Sequence, residues 1–310
     1  MPLPNESMSL LSPESALMLE ILMASANFTL MAFVGFVIGG AAVAFILPAY
    51  GGRKFQQFGL DLLSKVTVNF PVAILLTLIA AISLYCAKIL YDPGLLAAAF
   101  WGGLLLLFFF GLVVLSLSRR LALSRGMISP GTVLLAAAGT LPVLASMFFL
   151  VSTASLLIMP EKWPFTAGNW GLILSWNGVA GFLEFVLLSL AVTGAGVLAM
   201  AAGIEKRGLQ DLESFRPAGK VGTVLASAAL LLWPVPLLFD LLTLPEPALS
   251  SGIFILAAVS LLLAMIACLR LLASSGEMKS RRAAPVLIAV LSLFFIHALA
   301  DHVARGNILI

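Results

Sequence analysis

FTLMAFVGFVIGGAAVAFILPAYGGRKFQQFGLDLLSK, residues 28–65, carries the two signals that decide the fold. From Phe28 to Tyr50 there is no charged residue. That run is long enough to cross a hydrocarbon core, which takes about 20 helical residues. Directly after it come Arg53, Lys54 and Lys65. The same order recurs along the chain. Arg119, Arg120 and Arg125 follow the third apolar segment, and Lys206, Arg207, Arg216 and Lys220 follow the fifth. Arg270, Lys279, Arg281 and Arg282 end or follow the seventh, and only Lys88, Lys162 and Arg305 fall in the alternate gaps. Short basic loops stay cytoplasmic. The pattern therefore predicts an all-α integral membrane protein with eight transmembrane helices and both termini outside.

Composition agrees. The chain is 62% hydrophobic and 10% charged, with mean hydropathy +1.14, whereas a soluble domain carries about 25% charged residues. No stretch is polar and long enough for a water-soluble domain, so any such redox or nucleotide-binding domain would sit on another chain. The basic pI near 9.0 comes from four short loops, which suits anionic lipid headgroups better than nucleic acid. Cys86 and Cys268 fall toward opposite faces of the membrane, so no disulfide is expected, and no CxxC or CxxCH occurs.

The spans are expected at 28–50, 66–90, 94–118, 133–158, 178–203, 221–243, 252–273 and 284–303. An extracytoplasmic arm, 1–27, precedes them. Its segment Ser12-Pro13-Glu14 can start a helix that lies at the outer surface or runs straight into the first span. With three Glu and no basic residue before Arg53, the arm reads as mature protein rather than as a cleavable signal. Loop lengths and charges repeat in the same order after four spans. This predicts two tandem four-helix bundles, 28–158 and 178–310, joined by an outer loop 159–177 that contains Trp163, Trp170 and Trp176. Parallel repeats of this kind are related by an axis along the membrane normal. Gly35, Gly39 and Gly40, and Gly194, Ala195 and Gly196, are expected to pack helices within each bundle. Pro71, Pro142, Pro234 and Pro236 fall inside spans, where they bend helices.

Ionisable groups inside a span are costly and normally face a bundle interior or a cavity. Six qualify, all in the outer half: Lys88, Glu184, Asp240, His297, Asp301 and His302. Glu184 lies about 12 Å inside Trp176 at 1.5 Å per residue. As a proton acceptor it would be catalytic; the alternative is a structural bond to another helix, with Lys88 or His297 as partner. His297 and Asp301 are four residues apart on one helix face, so Asp301 is expected to orient His297. His302 is turned about 140° away, so the two histidines suit no common metal, and it reads as interfacial. Glu184, His297 and Asp301 are thus the catalytic candidates. His297, Asp240 and Lys88 are the ligand-binding candidates, and no metal site is expected. Histidine occurs only in the eighth span, which argues against a bis-histidine haem b between helices. A His/Met haem stays open because there are eleven Met.

The stretch from KVTVNFPVAILLTLIAAISLYCAKILYDPG through FLVSTASLLIMPEKW to FLEFVLLSLAVTGAG resembles a poorly characterised bacterial family of multi-spanning inner-membrane proteins. That family is often found with multihaem cytochromes. In it a His commonly stands near the place of Glu184 and another in the first span; this chain has neither. The segment GFVIGGAAVAF is similar to the first helix of NrfD-like membrane subunits of respiratory complexes, which handle quinol near the outer face without haem. The resemblance implies the bacterial inner membrane, extracytoplasmic cytochrome or iron–sulfur partners, and quinone rather than an intrinsic cofactor. On this expectation the chain is a membrane-anchoring subunit, not an enzyme by itself. A purely structural anchor, a transporter with two pseudo-symmetric halves, and a lipid-modifying enzyme are the alternatives.

Overall fold

A computed structural model describes residues 12–65, 69–91, 98–157, 175–206, 212–272 and 280–309. The arm before Ser12 and the outer loop with Trp163 and Trp170 lie outside the described residues. The helices are α1 (Pro13–Lys65), α2 (Phe70–Tyr91), α3 (Ala98–Arg125), α4 (Pro130–Leu157), α5 (Trp176–Lys206), α6 (Leu212–Leu232), α7 (Pro234–Thr243), α8 (Ser251–Leu272) and α9 (Ser280–Leu309). A 3-10 turn, Glu246–Ala248, links α7 to α8. Eight helical stretches are long and apolar enough to cross a membrane, with α6 and α7 together making one of them. The protein is an all-α, multi-pass membrane protein in contact with lipid, and eight crossings place both termini on one side.

Local chemistry sets the helix ends. Ser12 caps α1, accepting from the Ser15 N–H at 3.2 Å with Pro13 in the first turn. Asn69 caps α2 through the Val72 N–H, and Ser175 caps α5 through the Gly178 N–H. At α4 the cap is reciprocal: Ser129 Oγ accepts from the Thr132 N–H, and Thr132 Oγ1 accepts from the Ser129 N–H. Helix α3 stops at Gly126, whose φ of 62° belongs to the left-handed region. Beyond it the Met127 N–H bonds to the Ala122 carbonyl, and the Gly126 N–H to that of Leu123. These two bonds form a Schellman motif, which needs glycine at that place.

Two features depart from the expected spans. The first crossing begins at Glu14 rather than near residue 28. Ser12-Pro13-Glu14 does start a helix, and it runs straight into the span. The basic loop expected after it is helical too, up to Lys65. Yet a Cβ on Gly59 would lie 2.6 Å from the Ala44 carbonyl oxygen. In a straight helix those residues stand about 22 Å apart. The chain therefore doubles back after Pro48. Its returning segment buries Phe58, Leu62 and Leu63 and exposes Gln57, Asp61 and Lys65. Arg119 of α3 holds its end, donating to the carbonyls of Leu63 (2.6 Å) and Ser64 (3.2 Å).

The packing is organised around two apolar cores. One apolar core joins α1 to α4, with Phe185 and Val197 reaching in from α5. A second joins α5, α6, α8 and α9, with Ala32 reaching in from α1. The lead helix of each unit is central: the spans of α1 and α5 are each 67% buried, against 28–39% for the rest. These two helices pack on each other, while α4 packs on α5 and α9 on α1. The glycine pattern is divided differently from the expectation. Gly35 and Gly39 face Ser189 and Thr193 of α5, so they join the two units instead of packing one internally. A Cβ on Gly35 would lie 2.5 Å from Ser189 Oγ, which is too close for any other residue without displacement. Gly194 does pack within its own unit, against Gly222 of α6.

The sixth span is interrupted. Pro234 and Pro236 lack the N–H groups that would bond to the carbonyls of Leu230 and Leu232. Trp233 keeps helical angles (φ −57°, ψ −34°), but the next bond, from Leu237 N–H to its carbonyl, is stretched to 3.4 Å. Beyond the break, α7 carries Asp240.

Candidate functional site

Helix α5 is two-thirds buried within the protein. Glu184 is fully buried. Its described partner is His297 of α9, with Nδ1 3.2 Å from Oε2. That is an ion-pair distance, but the ring N–H does not line up with the oxygen. Neither carboxylate oxygen accepts a hydrogen bond from a described residue. Of the two partners expected for Glu184, the structure selects His297. It also changes the reading of the imidazole. Nδ1 is taken by Glu184 on another helix, whereas Asp301, expected to orient it, stands one turn further along α9 and faces the cavities.

Three cavities lie near this pair, and His297 lines two of them. The largest, about 240 Å³, lies among α1, α2, α3, α4 and α9. Its wall is mainly apolar, with Lys88, Asp301, Asn27, Ser83, Thr153 and Trp101 as polar or aromatic positions. The Ser83 hydroxyl donates to the Asn27 side-chain carbonyl, fixing two of them. Ala81, Leu84, Tyr85 and Lys88 line the cavity at helical spacing along α2. Tyr85 and Lys88 are themselves exposed, so the cavity reaches the lipid-facing surface.

A cavity of about 30 Å³ adjoins it and shares Met31, Val151, Ala154 and Asp301 with its wall. Asn177, Ser155, Asp240 and His297 also line this smaller space. The Asn177 amide donates to Thr243 Oγ1 at 2.6 Å, which ties the start of α5 to the end of α7 beside Asp240. The third cavity, about 40 Å³, lies between α7, α8 and α9 and again has Asp240, His297 and Asp301 in its wall.

Lys88, Glu184, Asp240, His297 and Asp301, chosen from the sequence one at a time, therefore come together at one level of the fold. His302 does not share their cavities. Its Nε2 lies 3.7 Å from Glu20 Oε2 on α1, tying the two helix ends together. No group of three or more His, Cys, Asp or Glu suited to a metal occurs among the described residues. Cys86 and Cys268 are free, buried thiols. Sequence reasoning missed Asn27, Ser83 and Asn177. Their signal is weaker because an uncharged amide or hydroxyl in a span can bond to its own helix. Asn27 was further obscured by its place just outside the expected first span. No protein-family model and no curated protein sequence matches the chain.

Proposed function

We propose that the protein is the quinol-handling membrane subunit of an electron-transfer assembly in a bacterial inner membrane. The observation that carries this reading is the 240 Å³ cavity with Lys88 and Asp301 in its wall, which shares wall residues with a small cavity lined by His297, the partner of Glu184. An apolar cavity with a few convergent polar groups suits a flat, largely apolar ring bearing two oxygens. Its reach to the lipid-facing surface suits a ligand that arrives through the bilayer and leaves its tail there. The Lys88 ammonium would donate to one ring oxygen, and the Asp301 carboxylate would accept the proton of the other. Oxidation of the quinol releases two protons and two electrons. The electrons would pass to a cytochrome or iron–sulfur partner docked at the outer face, since the described residues form membrane helices and hold no redox domain.

A transporter with two pseudo-symmetric halves calls for interrupted helices at matching places in both. The sixth span is interrupted at Trp233–Pro234, but its counterpart α2 is continuous from Phe70 to Tyr91. A purely structural anchor gives no reason to place Lys88, Asp240, His297 and Asp301 in the walls of neighbouring cavities.

The test is quinone content. The protein purified in mild detergent should retain stoichiometric quinone, and Ala154→Phe, which fills the cavity wall, should lose it. Wild-type protein free of quinone, or an Ala154→Phe variant with unchanged content, would reject the assignment.

A further inference from the structure

Asp301 is in the wall of all three cavities, and Asp240 and His297 are in the walls of both small ones. The small cavities, about 30 and 40 Å³, each exceed the roughly 10–15 Å³ that a cavity needs to hold a water molecule. Each offers the polar partners that a buried water needs. Behind them stands Glu184, fully buried, with two oxygens that accept no hydrogen bond from described residues. Neither Glu184 nor Asp240 forms an ion pair with a described Lys or Arg. Two buried carboxylates with one described imidazole beside them leave excess negative charge in a low-dielectric interior, which is unfavourable. Protons are the smallest ligands that remove it.

We infer that Asp301, His297, Glu184 and Asp240 form a proton-loading site that is filled from the large cavity through Asp301 and emptied through Asp240. The first step breaks a quinol O–H bond and forms an O–H bond on the Asp301 carboxylate. The proton then crosses the water in the adjoining cavity to His297, and the His297–Glu184 pair holds it. Asp240 receives it on the far side, in the cavity beneath the 3-10 turn at Glu246–Ala248; the second quinol proton follows the same route once Asp301 is free again, and the two electrons leave to the cytochrome or iron–sulfur partner, which is reduced. Helix α7, set apart by the break at Trp233–Pro234, carries Asp240. Asn177 is a positioning residue that holds α7 against α5.

The assignment of these protons to quinol rests on the function proposed above; the proton site itself does not. Infrared spectroscopy of the full-length protein in lipid nanodiscs reads the C=O stretch of protonated carboxyl groups during transfer to D2O. At least one such band should vanish in Asp240→Asn or Glu184→Gln and should shift with deuterium in the wild type. Ala300→Leu, which fills the cavity beside Asp240, should make that shift about tenfold slower by displacing the water, with quinone content unchanged. Ser260→Val plugs the same cavity from α8 and serves if Ala300→Leu does not fold. A band spectrum unaltered in both carboxyl variants, or deuterium exchange as fast in the plugged variant as in the wild type, overturns the site. Quinone missing from the wild-type sample would sink the quinol reading alone, since the exchange result stands without it.

Discussion

A carboxylate in the middle of LSWNGVAGFLEFVLLSLAV is conspicuous because everything around it is apolar. Its partner was open because His297 comes from a helix far along the chain, and spacing within one helix says nothing about facing helices. The pairing makes a stability prediction. Removing one member of a buried pair leaves the other uncompensated, which typically costs about 3–5 kcal/mol. His297→Ala should therefore lower the thermal unfolding temperature of the detergent-solubilised protein well below that of wild type. The double variant Glu184→Gln/His297→Ala should recover part of the loss. Equal melting of all three proteins would show that the contact carries no such energy.

At the level of elements, helix number, order and most boundaries could be read from apolar runs and turn residues. The break at Pro234 and Pro236 could be read as well, because a missing N–H acts wherever proline stands. The doubling back of α1 could not. Arg53 and Lys54 mark a membrane boundary, but they do not say whether the chain beyond it coils or continues as helix. That answer depends on Phe58, Leu62 and Leu63 finding a core supplied by α3 and α4. Arg119 closes this arrangement with two bonds to carbonyls at the end of α1. Charged donors of this type contribute about 1.5–3 kcal/mol each. Arg119→Ala should accelerate amide hydrogen exchange across 55–65 while leaving the exchange of α5 unchanged. At the seam between α1 and α5, Gly39 packs directly on Thr193. Gly39→Leu should destabilise the protein by at least the roughly 1–3 kcal/mol of ordinary overpacking, read as a lower melting temperature. Gly102→Leu, at a position with open space around it, should not.

For the whole molecule, the order of basic loops predicted a duplicated unit before any contact was known. The described residues form two apolar cores, one joining α1 to α4 and one joining α5, α6, α8 and α9. Which surface of each unit meets the other was not legible, because a small-residue stripe looks the same whether it packs inside a bundle or between bundles. Orientation in the membrane remains a prediction from the basic loops. A cysteine at exposed Gln57 should react with an impermeant thiol reagent only from the cytoplasmic side, and one at exposed Glu246 only from the outer side. The reverse labelling would invert the topology and move the cavities to the inner leaflet.

The seam of Gly35 and Gly39 against Ser189 and Thr193 also bears on how the protein is made. Until α5 is inserted, the deepest face of α1 has only lipid to pack against. Completing the fold is then an association of two half-proteins already in the bilayer, driven by close packing and not by water exclusion. In evolutionary terms the same seam is where two separate copies of a four-helix ancestor would have met, before fusion turned a concentration-dependent encounter into a local one.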